Sequence, residues 1–152
     1  MDQQNNIITP QEVVSIAFAA NSNFKAESIN EHIVHIAEVK YLRPALGAAL
    51  FANLGNYPEL VDRLKPALAF FVKCEIMPSI AISMGNGGLA LSSPQYMTTA
   101  TDKQRTLLYE SELSKANTLL NEVVEYIANS GEYPEYRGAQ VVVKHRYAGI
   151  IL

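Results

Sequence analysis

The stretch PALAFFVKCEIMPSIAISMG, residues 66–85, decides the fold. Leu68, Phe70, Phe71, Val72, Ile76, Met77, Ile80 and Ile82 place apolar side chains on nearly every side of a helix. A helix of that kind has to be covered all round, in the middle of a bundle or at a subunit interface. Lys73, Glu75 and Pro78 would be costly at the centre of a bilayer, so the stretch reads as a core helix and no membrane span is expected. Pro66 marks a joint near Lys65, and Pro78 a kink or local unwinding. Surplus apolar and strand-forming surface of this kind is expected to be destined for sister subunits rather than for a private core.

On the N-terminal side, Thr9-Pro10-Gln11-Glu12 supplies a cap, a proline at the first helical position and a glutamate able to close a capping box. It predicts a helix over about 10–20. Ser28-Ile29-Asn30-Glu31 repeats that logic ahead of a second helix at about 29–42. Arg43-Pro44 should interrupt it, because the residue before a proline resists the α region. A short helix then runs to about Asn53, Gly55-Asn56 breaks it, and residues 58–84 resume.

On the C-terminal side, GNGGLALSSPQYMTTAT at 85–101 is a long loop or hairpin, rich in breakers and suited to contacts through Gly87, Leu89 and Leu91. Asp102 to Asn129 forms the longest helix, roughly 40 Å, with Gly131 as its C-cap glycine. Along it Tyr109, Leu113, Ala116, Leu120, Val123 and Ile127 make a continuous seam for a neighbouring helix. The expected fold is mainly α: a small helical bundle over 1–131, then an extended, strand-containing arm over 132–152.

Composition narrows the function. The chain has 152 residues, 49% hydrophobic and 18% charged, as in a single soluble domain. A net charge of −3 without a basic cluster excludes gripping nucleic acid by counterion release. Cys74 is the only cysteine, which rules out an intrachain disulfide and a CxxC knuckle. The opening MDQQNNIITPQE has no basic n-region or apolar h-region, so no signal peptide is expected.

Chemistry finds little to work with. His32 and His35 are spaced H-I-V-H, whereas a zincin helix needs HExxH. Helical phasing puts Ile29, Ile33 and Ile36 on the apolar face and Glu31, His35 and Glu38 on the polar one, with Glu31 and His35 as a surface pair. GNGG at 85–88 lacks the lysine and hydroxyl of a P-loop. Ser92, Ser93 and Cys74 sit in no nucleophile elbow. No catalytic residue, metal or cofactor is expected.

Contact residues are the alternative. In EYPEYRG, 132–138, Tyr133 and Tyr136 either pack on the last helix or anchor a protein interface. In VVVKHRYAGIIL, 141–152, Val141 and Val143 precede Lys144, His145 and Arg146, and Tyr147, Ile150 and Ile151 follow. This pattern suits a last strand of the same domain or strand addition to another subunit.

Taken together, ITPQEVVSIAF, IAEVKYLRPALGAAL, the apolar helix from Pro66, the helix 102–129 and its SGEYPEY exit resemble the small helical head–tail connector (adaptor) proteins of tailed bacteriophages, most of all those of crAss-like phages. The resemblance covers roughly residues 7–136 and rests on packing patterns. It implies a virion protein of the neck, assembled in the host cytoplasm into a homo-oligomeric ring, typically of twelve copies. Its partners would be the portal protein and the next neck or tail protein, with DNA passing through the lumen without sequence-specific binding. The rival readings are a tail-terminator or stopper ring protein, a zinc hydrolase built on His32 and His35, and a non-viral helical protein-binding module.

Overall fold

The computed structural model describes residues 6–18, 24–83 and 102–138, and every structural statement below concerns these. They form α1 (Pro10–Ala17), α2 (Glu31–Ala37), a π-helical turn (Glu38–Leu42), α3 (Arg43–Leu46), α4 (Ala48–Ala52), α5 (Pro58–Ser83) and α6 (Asp102–Ser130). Short 3-10 turns occupy Ala26–Ser28 and Leu54–Asn56. The fold is mainly α.

The arrangement follows from α5. Leu60, Leu64, Ala67, Leu68, Ala69, Phe71, Val72, Cys74 and Ile76 are all buried. α6 provides the most extensive cover, and α1, α2 and the π-helical turn cover the remaining sides. Each large aliphatic or aromatic side chain buried this way stabilises the fold by roughly 1.5–3 kcal/mol. The expectation that this helix offers surplus surface to sister subunits is therefore corrected for these nine residues, which the chain buries itself. Nor does the helix have a joint at Lys65-Pro66: it runs unbroken through Pro66 and Pro78. A proline removes one helical hydrogen bond, and the buried side chains around Pro66 outweigh that loss.

The seam on α6 is as the sequence indicates. Leu113, Ala116, Leu120, Val123 and Ile127 are buried, and Tyr109 is partly buried beside them. Gly131 follows with φ +67°, the left-handed region that glycine adopts without strain. At the other end of the chain the capping box closes on α1. The Thr9 side chain accepts from the Glu12 N–H, while the Thr9 N–H donates to Glu12 Oε2 at 2.9 Å. α1 is shorter than expected and stops at Ala17.

The second helix departs furthest from expectation. Its cap is Asn30, whose side chain accepts from the His32 N–H, and Ser28 belongs to the preceding 3-10 turn. Pro44 does not break the chain's helical course. Arg43 N–H bonds to the Glu38 carbonyl five residues back, and α3 follows directly from that widened π-helical turn. The break comes at Gly47, with φ +84° and ψ 152°, a conformation essentially reserved for glycine.

The expected apolar face is met in part. Ile29 is buried from extended backbone ahead of the helix and Ile33 packs partly buried against the core, so of the three expected inward only Ile36 falls outside. Val34, Ala37, Glu38, Tyr41 and Leu42 form the buried face, and Ile36 is 50% exposed.

Gly47 gives the first test. A Cβ there meets nothing within 4 Å, so Gly47→Ala changes only the backbone energy. We expect it to lower unfolding free energy in urea titrations by about 1–3 kcal/mol. Gly55→Ala, also with open space and without a positive φ, should be nearly neutral. Equal effects at the two positions would contradict the left-handed break.

Candidate functional site

The charged side chains that reach the interior all tie helices together, and three polar clusters do this. The first is built on α5 and α6. Lys73 Nζ donates to the Ala17 carbonyl at 3.0 Å and lies 5.0 Å from the Phe18 ring centre. It thus caps the last turn of α1, where a cation also suits the helix dipole. The same ammonium is 3.3 Å from Glu112 Oε2, inside ion-pair distance but outside hydrogen-bond geometry. Lys115 supplies Glu112 Oε1 with a hydrogen bond at 2.9 Å. Glu112 is only 3% exposed, so these two lysines make its burial tolerable.

The second cluster joins α5 to the π-helical turn. Glu75 Oε1 accepts from Lys40 Nζ and from the Tyr41 hydroxyl, both at 2.6 Å. The Tyr41 ring stacks on Phe71 at 4.1 Å. Burial, then the Glu75 carboxylate, raises the Tyr41 phenol above its ordinary range. Between the clusters, burial and the charges of Glu112 and Glu75 push the Cys74 thiol up to about 12. A thiol held protonated in this way is a packing group.

The third cluster fastens the residues ahead of α1. Glu38 Oε1 accepts from the Ile7 N–H at 2.7 Å, and Glu38 Oε2 lies 3.7 Å from His35 Nδ1. Glu38 was expected on the solvent side with His35, and it is buried instead. His32 is exposed in the first turn of α2. Among the described residues, no group of three or more His, Cys, Asp or Glu side chains could hold a metal ion.

The sequence-derived contact residues divide sharply. Tyr133 is buried within its own chain, edge-on to Tyr57 at 5.0 Å and to Tyr126 at 6.2 Å. Its ring therefore packs on the helical body, and burial pushes its phenol up to about 12. Tyr136 is half-buried, its N–H bonded to the Tyr133 carbonyl. The Tyr57 hydroxyl donates to Glu135 at 2.9 Å, which fastens the start of the expected arm to the bundle. Gly87, Leu89, Leu91, Val141, Val143, Arg146, Tyr147, Ile150 and Ile151 lie outside the described residues, as do GNGG, Ser92 and Ser93.

Sequence reasoning missed a surface on α6. An open groove of about 360 Å³ is lined by Glu110, Leu113, Ser114, Asn117, Thr118 and Asn121. Nearby on the same helix Leu107 and Leu108 are 55% and 52% exposed. The signal was available as the polar positions between the seam residues, spaced at three and four along the helix.

A family profile matches residues 21–146. The chain belongs to the Family of unknown function (DUF6712). The DUF6712 match takes in α2 through α6 and leaves α1 outside. α1 is nevertheless joined to the matched part by Lys73 at its end and by Lys65, which lies 2.9 Å from Glu12. No curated protein and no solved structure matches the chain. No helix among the described residues is long and apolar enough to cross a membrane.

Glu38 offers a test with a defined sign. Burial raises its carboxyl above the ordinary 4.5, outweighing the Ile7 amide and His35, which lower it. A raised carboxyl value means the folded chain holds this proton more tightly than the unfolded chain does. The contribution of Glu38 to stability is then complete below the unfolded value and lost as pH rises through the folded one. Glu38→Gln keeps an acceptor for Ile7 and removes the charge. Urea titrations from about pH 4 to about pH 8 should show it gaining on the native chain as pH rises, then levelling. Glu38→Gln losing stability relative to the native chain as pH rises would contradict the buried carboxylate.

Proposed function

We propose that this chain is a structural, ring-forming head–tail connector subunit of a phage neck, joining the portal to the tail and extending the DNA channel. No enzymatic activity is part of this reading. The observation that carries it is α6, a 29-residue helix with one buried face and an open groove on another. Such a helix holds a small bundle together and still offers a neighbour a long contact surface. Two further points support the reading. The described elements are helices in sequence, from the capped α1 to the Gly131 exit, which suits a small helical subunit. The interior charges of Lys73, Glu75 and Glu112 are spent on helix-to-helix contacts.

The finer parts of the proposal are a twelve-copy ring, contacts through the 85–101 segment and an arm over 139–152 that meets a neighbouring subunit or the portal. An overall charge of −3 suits a channel through which DNA slides.

Electron microscopy of the purified chain, alone and mixed with the portal protein of the same phage, tests the proposal. We expect closed rings that seat coaxially on the portal. A chain that stays monomeric at all concentrations and does not bind the portal would overturn it. Rings that form with a β-dominated circular dichroism spectrum would favour the tail-terminator reading.

A further inference from the structure

The groove on α6 has a chemistry of its own. Ser114, Asn117, Thr118 and Asn121 are exposed along it, Leu113 is buried and forms its floor, and Glu110 stands at one end. Thr118 donates its hydroxyl to the Ser114 carbonyl and keeps acceptor capacity. Ser114, Asn117 and Asn121 make no side-chain hydrogen bond to any described residue. Asn117 and Asn121 are one turn apart, about 6 Å along the axis. An extended peptide repeats every two residues, about 6.6–6.8 Å. Each carboxamide carries both donors and an acceptor, so the pair matches successive outward-facing N–H and C=O groups of an extended backbone. A polar ladder at that spacing reads main chain, and its shallow apolar floor takes a small side chain.

We propose that this groove binds an extended peptide, and that its occupant is the segment 139–152 of a neighbouring copy of this chain. The inference rests on the ring reading above and assigns one of its contacts. Three observations select the occupant. Val141, Val142 and Val143 favour extended backbone. The segment carries Lys144 and Arg146 and no acidic side chain, whereas Glu110 lies in the groove and Glu122 and Glu125 follow on α6. The 14 residues beyond Gly138 extend to about 46 Å, far past the roughly 14 Å radius of gyration of a domain this size. A ring closes through heterologous contacts, one surface of each subunit meeting a different surface of the next. A groove and a basic, valine-rich segment on one chain are such a pair.

Photo-crosslinking in the full-length chain tests this. The benzophenone amino acid p-benzoylphenylalanine replaces Thr118, and Asn121 in a second variant should the first fail to fold. Isotopically light and heavy copies are mixed before assembly, and cross-linked peptides are identified by mass spectrometry alongside a sedimentation measurement of the oligomer. The expected product joins position 118 or 121 to a peptide from 139–152, with heavy–light pairs present. The same substitution at Asp62, whose side chain is 73% exposed elsewhere on the surface, should lose that product. Light–light and heavy–heavy products without mixed pairs would make the occupant the chain's own segment and overturn the proposal. Closed rings whose cross-links avoid 139–152 would also overturn it while leaving the ring reading in place. A monomer that gives no product would end both.

Discussion

α5 is the constraint on which the rest of the structure depends. A helix apolar on almost every side cannot stand at a surface, and the remaining elements are arranged to enclose it. α6 lies along one side, α1 closes a second, and α2 with the π-helical turn closes a third. Lys73 and Glu75 mark where that enclosure meets polar chemistry. Lys73 is balanced by Glu112 and the end of α1, and Glu75 by Lys40 and Tyr41. Lys73 and Glu75 thereby tie α5 to α1, α6 and the π-helical turn.

This division of labour shapes the functional reading. Since the chain covers the central helix for itself, the proposed contacts with other subunits would come from elsewhere. α6 presents two surfaces, with the seam from Leu113 to Ile127 inward and the Ser114, Asn117, Thr118 and Asn121 ladder outward. Tyr133, for which the sequence left packing and interface anchoring open, packs in an aromatic group with Tyr57 and Tyr126. Glu135 adds a hydrogen bond to Tyr57 at the same place. The bundle therefore extends beyond residue 131, and the expected arm begins on its surface.

Features governed by neighbouring residues were legible in the sequence. The Thr9–Glu12 box, the α6 seam and Gly131 depend on spacings of three or four residues, which can be read directly. Features governed by distant residues were not. Pro66 lies inside a helix that α1 and α6 pack against, an effect that no local rule contains. Glu38 is buried because the Ile7 amide, 31 residues away, needs an acceptor. The break at Gly47 was hidden by Pro44, a stronger local signal that the π-helical turn absorbs. The α6 groove was overlooked because exposed Asn, Ser and Thr on a helix normally mean only solvent.

Native-state hydrogen exchange on α5, followed over a wide range of protein concentration, tests the central claim most directly. Helices enclosed by their own chain keep the protection of global unfolding in the monomer, and assembly only adds to it by mass action. The account predicts that the amides of residues 67–76 are the most protected in the chain even at dilutions where no assembly forms. Protection of these amides that collapses on dilution would show that other subunits, and not this chain, cover the central helix.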